Sequence, residues 1–251
     1  MNLKKINNLK SKATKLRKET FLEFIKRGEA HLGGSFSIIE ILISLYYKIL
    51  RKNDKFILSK SHASYPLCLI LKKKGFKPKI STHLELDEKN GIYCTTGSLG
   101  HGFPIATGMA FARKRRKIKG HIYVLISDGE CQEGTTWESM LIAAKHNLNN
   151  LTLIIDYNKI QALSKLEDAL PLKSLSSKIK SFNWKCINIK DGHSFRSIIY
   201  NLQKKNRKPT ALILNTTKGK GIKEFENDPV WHARKLQGNE IIIGKKRLKI
   251  K

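Results

Sequence analysis

The chain has 251 residues, 40% of them hydrophobic, and this length and content exclude a peptide-like module and favour one sizeable domain with its own core. No apolar run reaches the roughly 18 residues of a membrane span, and the lysine-rich N-terminus lacks the apolar centre of a signal peptide. We therefore expect a cytoplasmic protein without a membrane partner. We predict a single domain over residues 1–251, with its core at about 15–236 and a basic C-terminal tail.

The formal net charge of +29 raises the question of nucleic-acid binding, because clustered cations release counterions when they meet phosphates. Lysine outnumbers arginine and is spread over the whole chain, whereas nucleic-acid readers favour the arginine fork. The two densest basic runs, 113–119 and 245–251, therefore indicate solvated surface, and we expect no dedicated nucleic-acid partner. The positive field would still attract sugar phosphates and diphosphates.

Four cysteines lie far apart in the sequence, namely Cys68, Cys94, Cys131 and Cys186. They form no C-x-x-C pair and have no histidine at the spacing of a metal site. The pattern predicts buried or incidental thiols and indicates neither a zinc site nor a disulfide framework.

Among the predicted elements, a helix comes first in the chain and is followed by β-branched runs that alternate with further helical patterns. Residues 37–50 repeat apolar side chains at helical spacing, and Ser35 or Ser37 offers an oxygen to cap the first free amides. The expected order after this helix is a strand ending at Ser127, a helix at 134–147, a strand ending at Asp156, a strand ending at Ile189, a helix at 195–205 and a strand ending at Thr216. This alternation predicts an α/β fold with a mainly parallel sheet and helices on both faces.

Polar residues follow two consecutive predicted strands. Asp128 and Gly129 come directly after the first, and Asn158 follows the second, so both oxygen ligands would lie at the carboxyl edge of the sheet, where ligands bind in such folds. A carboxylate, an amide oxygen and a main-chain carbonyl suit Mg²⁺, and Gly129 would let a phosphate approach the backbone closely. An Asp-Gly turn after a strand is also common in proteins without such a site, so these residues alone leave a plain turn open.

The spacing of these residues and several further segments resemble one enzyme family. The 27 residues at 130–156 separate Gly129 from Tyr157-Asn158, which resembles the thiamine diphosphate signature of Gly-Asp-Gly and a closing Asn, with Ser127 in place of the first Gly. Four other segments resemble transketolase segments in the family's order: AHLGGSFS at 30–37, LSKSHA at 58–63, TTGSLGHG at 95–102 and PVWH at 229–232. The resemblance to transketolases covers about residues 15–236 and implies the thiamine diphosphate-binding fold.

The resemblance implies roles for individual residues of this chain. Mg²⁺ would be coordinated by Asp128, Asn158 and the main-chain oxygen of Ile160. The diphosphate would be contacted by His62 and Gly129, and the thiamine would be supported by Gly97, Ser98 and Leu99. The substrate channel would be lined by His31, His83 and His232, whose imidazoles suit proton transfer near neutral pH. Glu133 and Glu138 resemble family carboxylates near a dimer interface.

The implied activity is transfer of a two-carbon ketol unit from a ketose phosphate to an aldose. The resemblance covers only the part that binds the diphosphate, so we expect a separate C-terminal subunit that binds the aminopyrimidine ring, in an α2β2 assembly with sugar phosphate substrates. Two alternatives stay open: the diphosphate-binding half of a deoxyxylulose phosphate synthase or 2-oxo acid dehydrogenase, and a non-catalytic basic binding protein. The segments at 58–63 and 97–102 favour transketolase over the dehydrogenases.

Overall fold

The computed structural model describes residues 2–28, 31–162 and 164–251, and its centre is a parallel five-stranded sheet. The strands are β1 Lys55–Leu58, β2 Ile122–Ser127, β3 Leu151–Tyr157, β4 Lys185–Ile189 and β5 Thr210–Asn215. Their order across the sheet is β1-β2-β3-β5-β4. Because every pairing is parallel, all carboxyl ends meet at one edge. The four predicted strands are confirmed, and their ends differ from the predicted ones by at most one residue.

Strand β1 was not predicted from the sequence. It has four residues, which is too short for a recognisable periodicity, and it pairs with β2 from Lys55 opposite Ile122 to Leu58 opposite Leu125. The ladder continues one residue further, since the amide of Ser59 donates to the oxygen of Leu125. Pairing with a neighbouring strand, rather than its own sequence, therefore makes this segment extended.

Helices cover both faces of the sheet, as predicted. The helices are α1 Leu3–Arg27, α2 Leu32–Ser37, α3 Ile39–Ser44, α4 Ser64–Lys73, α5 Gly102–Arg115, α6 Gly134–Lys145, α7 Leu166–Ala169, α8 Leu175–Ser181, α9 Phe195–Gln203 and α10 Gly238–Leu248. One apolar core lies between the sheet and α1, α3, α4 and α9, and a second lies between the opposite face and α5, α6 and α8. No helix in the described ranges is long and apolar enough to cross a membrane.

The single helix predicted at 37–50 is wrong. The chain instead forms α2, a break at Ile38, α3 and a π-helical turn at Leu45–Ile49. Helix α2 begins at Leu32, so Ser35 and Ser37 lie inside it and neither side chain caps it. The hydroxyl of Ser37 donates instead to the Gly34 oxygen and to Asp156. Within α2, Gly33 packs so closely that an added Cβ would lie 2.7 Å from the oxygen of Trp231.

The structured core extends beyond the predicted limits of 15–236 at both ends. Leu9 and Ala13 of α1 are buried in it, and so is Leu248. The segment predicted as a basic tail forms α10, whose Gly244 packs against the ring of Phe21 so closely that a side chain there would overlap it. Lys245, Lys246 and Arg247 thus share a helix with an apolar docking face, which the lysine-rich composition of 245–251 conceals.

Candidate functional site

The carboxyl ends of four strands lead to one cavity of about 300 Å³. Lys60 follows β1, Asp128 follows β2, Asn158 follows β3 and Lys218 follows β5. The cavity brings together ten of the predicted site residues: His31, His62, His83, Gly97, Leu99, Asp128, Gly129, Asn158, Ile160 and His232. Ser98 is exposed and is not part of its wall.

The proposed metal ligands are held by the backbone of the turns that follow β2 and β3. Asp128 accepts hydrogen bonds from the amides of Gly129, at 2.9 Å, and Lys159, at 2.5 Å. Lys159 has a φ of 65°, a left-handed conformation that is costly for a side chain with a Cβ. The Asn158 amide nitrogen donates to Asp156 at 3.0 Å, which fixes the direction of its oxygen.

These donors fit a divalent cation. Burial, and then the neighbouring charge of Asp156, raise the pKa of Asp128 to about 7, so the carboxylate lacks enough positive charge around it. A bound Mg²⁺ would supply that charge, and a carboxylate, an amide oxygen and the Ile160 carbonyl are the hard oxygen donors it prefers. The role of the three residues as ligands stays a prediction.

A buried ion pair stands behind the predicted ligands and was missed by the sequence analysis. Lys60 Nζ lies 2.6 Å from Asp156 Oδ2, and both side chains are at most 1% exposed. Asp156 also accepts from Ser37, Thr216 and Asn158. Burial opposes ionisation of Asp156, but Lys60 and these donors outweigh it and hold the pKa of the carboxyl below its usual value. Lys60 lies within the LSKSHA segment, which could have drawn attention to it.

Three histidines form a triangle on one wall of the cavity. The ring centroids are 5.4 Å apart for His31 and His62, 5.6 Å for His31 and His232, and 5.4 Å for His62 and His232. Burial, followed by the charge of Lys60, lowers the pKa of His62 well below its usual value. Burial, followed by Lys218, lowers the pKa of His232 to about 3. The His62 and His232 imidazoles are therefore neutral at neutral pH, and His31 holds a φ of 72°, a strained conformation often found at functional sites.

The second residue missed by the sequence analysis is Lys218, which is 1% exposed and reaches the cavity from the β5 end. Its Nζ donates to the oxygens of Ile160 and Gln161, at 3.2 Å and 3.0 Å, and to His232 Nδ1 at 2.9 Å. While Lys218 is protonated it can only donate, so His232 Nδ1 then accepts and the proton of the neutral ring lies on Nε2. Burial, then Lys60, lowers the pKa of Lys218 to about 7. A lysine that follows a strand and precedes glycine, in TTKGKG, was the available sequence signal.

Glu130 joins the loops on the other side of the cavity. Its carboxylate accepts from the amides of Ser127, at 2.9 Å, and Gly100, at 3.1 Å, and from the hydroxyl of Ser59. The serine that departs from the Gly-Asp-Gly pattern is accommodated, because Ser127 has no positive φ and its hydroxyl accepts from the Glu130 amide at 3.3 Å. The turn therefore does not require glycine at this position.

The two carboxylates predicted near a dimer interface are both exposed but differ in position. Glu133 lines the mouth of the cavity, whereas Glu138 lies one turn into α6 and is outside the cavity wall. Gly100, with a φ of 77°, packs against Glu133 so closely that a Cβ would lie 2.7 Å from the glutamate Cβ. The structure thus brings only Glu133 to the predicted cofactor residues.

The chain is similar to characterised proteins over most of its length. Residues 23–251 match the family described as transketolase, thiamine diphosphate binding domain. The chain is 34% identical to the 6-deoxy-6-sulfo-D-fructose transketolase subunit SqwG of Clostridium sp. (strain MSTE9), covering 91% of this chain and 92% of that one. It is 35% identical to one of the subunits of the apulose-4-phosphate transketolase of Actinobacillus succinogenes, covering 87% of each.

A solved structure shows the same fold. The crystal structure of transketolase from Campylobacter jejuni superposes with a TM-score of 0.87 at 28% identity, and the match covers 99% of this chain and 43% of that one. The sheet order, the converging strand ends and these similarities lead to one conclusion. The chain belongs to the transketolase family and carries its thiamine diphosphate-binding domain.

Proposed function

We propose that this chain is the N-terminal, diphosphate-binding subunit of a Mg²⁺-dependent transketolase-type enzyme that moves a two-carbon ketol unit from a ketose phosphate to an aldose. The main observation in favour of the proposal is that Asp128, Asn158 and Ile160 line the same cavity as the histidine triangle. The similarity to relatives named as transketolase subunits supports it.

In this proposal, Asp128, Asn158 and the Ile160 oxygen hold Mg²⁺, which neutralises the cofactor's diphosphate. Gly129 leaves open space for a phosphate, because a Cβ there would have no atom closer than 3.8 Å. His62 and the Lys218 ammonium face the same space and would bind the diphosphate oxygens. Gly97 and Leu99 support the thiamine, and Ser98 would contribute only its backbone because it is exposed and is not part of the cavity wall.

Bound thiamine diphosphate supplies the nucleophilic carbon that takes up and passes on the two-carbon unit. The protein orients the sugars and moves their protons. His232 presents the Nε2 proton, since Nδ1 accepts from Lys218, and it can donate to a sugar oxygen. His31 stands beside it, and His83 lies at the mouth against Gly97. A neutral imidazole can accept a proton from a sugar hydroxyl or bind that hydroxyl through a hydrogen bond. Both roles suit the cleavage of a bond in the donor sugar.

The partner in the proposal is a separate C-terminal subunit that supplies the pyrimidine-binding half, in an α2β2 assembly in the cytoplasm. The exposed residues Leu99, Glu133 and His83 at the mouth of the cavity would then be covered by a second chain. The similarity to relatives that are themselves named as transketolase subunits, which the match covers to 92% and 87% of their length, supports this division.

Calorimetry and a ketol-transfer assay test the proposal together. The chain co-purified with its candidate partner should bind thiamine diphosphate only with Mg²⁺ present and should transfer the ketol unit. The chain alone should not turn over. Vigorous transfer by the chain alone would refute the need for a partner. No Mg²⁺-dependent binding even with the partner would instead support a non-catalytic basic protein.

A further inference from the structure

A second cavity lies at the edge of the sheet opposite the candidate active site. It has a volume of about 700 Å³ and is lined by the amino ends of β2, β3 and β5, by the end of α9 and by the turn at 51–54. None of its lining residues belongs to the cavity at the carboxyl edge. We refer to this space, with Tyr123, Thr152 and Thr210 on its sheet side, as the amino-edge cleft.

The rim of the amino-edge cleft is strongly basic. Six cations line it: Lys48, Arg51, Lys52, Lys119, Lys204 and Lys205. Within the described ranges none of the six forms an ion pair, and the contact of Lys204 with the Tyr200 ring leaves its charge uncompensated. The one carboxylate in the lining, Asp54, already accepts from the amides of Arg51, at 3.0 Å, and His121, at 2.8 Å. The six rim cations are therefore available to bind an anion.

The floor of the cleft is polar and lies deep. Tyr123 is only 7% exposed, and its hydroxyl forms no hydrogen bond to the part of the chain that the structure describes. The His121 ring lies 4.5 Å from the Tyr123 ring and shares a hydrogen bond of 2.7 Å with Thr152 through Nε2, so Nδ1 is its ring nitrogen without a hydrogen bond in the described ranges. The Tyr123 hydroxyl is not among the fully buried polar atoms that lack a partner, so solvent reaches it and a ligand hydroxyl can replace water there.

The excess of lysine in the whole chain does not account for this arrangement. The chain has 49 basic and 20 acidic residues, and most of its cations in the described ranges also lack an ion pair, so what distinguishes the cleft is that six cations surround one cavity with a single, occupied carboxylate. A drift in composition adds lysines to a surface, but it does not place a tyrosine hydroxyl without a protein partner beneath them.

We propose that the amino-edge cleft binds a small phosphorylated molecule that carries hydroxyl groups. Its phosphate lies among Arg51, Lys52 and Lys204 at the rim, and its hydroxyls reach Tyr123 and His121 on the floor. The arginine fork and the lysine ammonium groups suit a phosphate dianion. The site is independent of the thiamine diphosphate function, since the two cavities share no residue.

Titration calorimetry with glycerol 3-phosphate tests the site, using the full chain saturated with thiamine diphosphate and Mg²⁺. The triple variant Arg51→Gln, Lys52→Gln, Lys204→Gln should bind the probe at least about tenfold more weakly, because it removes charged contacts to the phosphate. The matched control carries Lys4→Gln, Lys5→Gln and Lys10→Gln on exposed positions of α1 and should bind as the unchanged chain does. An equal loss in both variants would overturn the proposal, because it would make the attraction a property of the whole chain.

The floor is tested with Tyr123→Phe, which keeps the ring and removes the hydroxyl. We expect about threefold to tenfold weaker binding of glycerol 3-phosphate and no change for inorganic phosphate, which has no alcohol to reach the floor. An unchanged affinity for glycerol 3-phosphate in this variant would also overturn the proposal. So would an oligonucleotide that binds more tightly than the probe, is weakened by the rim variant and is indifferent to Tyr123→Phe.

Discussion

The ammonium of Lys218 lies 3.2 Å from the main-chain oxygen of Ile160, the oxygen that we propose as the third Mg²⁺ ligand. In the proposed site, one lysine would therefore orient the carbonyl of a metal ligand and, when protonated, add a positive charge to the space that the diphosphate would occupy. The same ammonium fixes the tautomer of His232. Lys218 thus links the metal end of the cavity to the histidine wall, although no motif singled it out.

The first prediction concerns Lys218→Met, which keeps the length of the side chain and removes its charge. We expect the affinity for thiamine diphosphate at saturating Mg²⁺ to fall at least about tenfold, because a charge-assisted contact to the diphosphate is lost. Calorimetry measures this. Lys220→Met, two residues away and partly exposed with Glu226 as its partner, is the control and should leave the affinity unchanged.

The second prediction concerns Asp128→Asn in the absence of metal. The pKa of this carboxyl is raised from 3.8 to about 7, so the folded chain loses stability as the pH rises through that window. The amide removes this penalty but turns its NH2 toward one of the two backbone amides that Asp128 binds, so the variant should be more stable than the unchanged chain above about pH 7.5 by roughly 1–3 kcal/mol. Urea unfolding measures the difference. With Mg²⁺ and thiamine diphosphate, the order should reverse, since only the carboxylate binds the metal well. The same order under both conditions would contradict the metal assignment.

The third prediction concerns the buried ion pair between Glu40 and Arg17. Glu40 accepts from Arg17 at 2.7 Å and from His193 Nδ1 at 3.0 Å, while His193 Nε2 accepts from the amide of Thr217, next to Lys218. Burial alone would raise the pKa of Glu40, but Arg17 and His193 lower this pKa from 4.5 to about 2. The resulting stability, about 3 kcal/mol, is fully present above pH 4.5 and is lost as the pH falls toward 2.

Glu40→Gln should therefore destabilise the chain by about 3 kcal/mol or more at neutral pH, since it leaves Arg17 buried without a counter-charge. Urea unfolding at a series of pH values should show the difference from the unchanged chain shrinking below about pH 4.5. A difference that does not depend on pH would mean that Glu40 acts through packing alone.

The fourth prediction concerns the mouth of the cavity. A Cβ on Gly97 would lie 2.6 Å from Cδ2 of His83, so Gly97→Ala should push the imidazole out of the channel. In the two-chain enzyme we expect a higher KM for the sugar, by about tenfold, with little change in stability. Gly108→Ala on α5 is the matched control, because nothing lies within 4 Å of its added methyl group. A similar KM change in both variants would argue against a role for His83.

The sequence predicted the elements whose patterns are local. The strands predicted to end at Ser127 and Asp156, which are β2 and β3, are long, β-branched and buried, so their pattern is recognisable from the sequence. The prediction at 37–50 was wrong at the start of the helix and at Ile38, where no local pattern marks a boundary, and the close approach of Gly33 to Trp231 and Lys218 involves residues far away in sequence. Strand β1 exists only through its pairing with β2.

The same distinction applies to the site. His62 and Asp128 could be predicted as site residues because the residues next to them in sequence also match the family's motifs. Lys218 and Asp156 were missed because their importance comes from contacts across the sheet, with Ile160 and Lys60. Burial of a lysine is also invisible in a chain with so many exposed ones. Only the three-dimensional structure distinguishes Lys218 and Asp156 from the other charged residues of the chain.

The Asp156 carboxylate joins Ser37, Lys60, Asn158 and Thr216, which come from four separate segments of the chain. No segment can complete this centre before the other three have arrived. A chain emerging during synthesis would thus lack the Thr216 contact beside the proposed metal-ligand turn until β5 is in place. We expect the cofactor site to be acquired late and all at once, so that a partly folded chain cannot withdraw thiamine diphosphate from the cell.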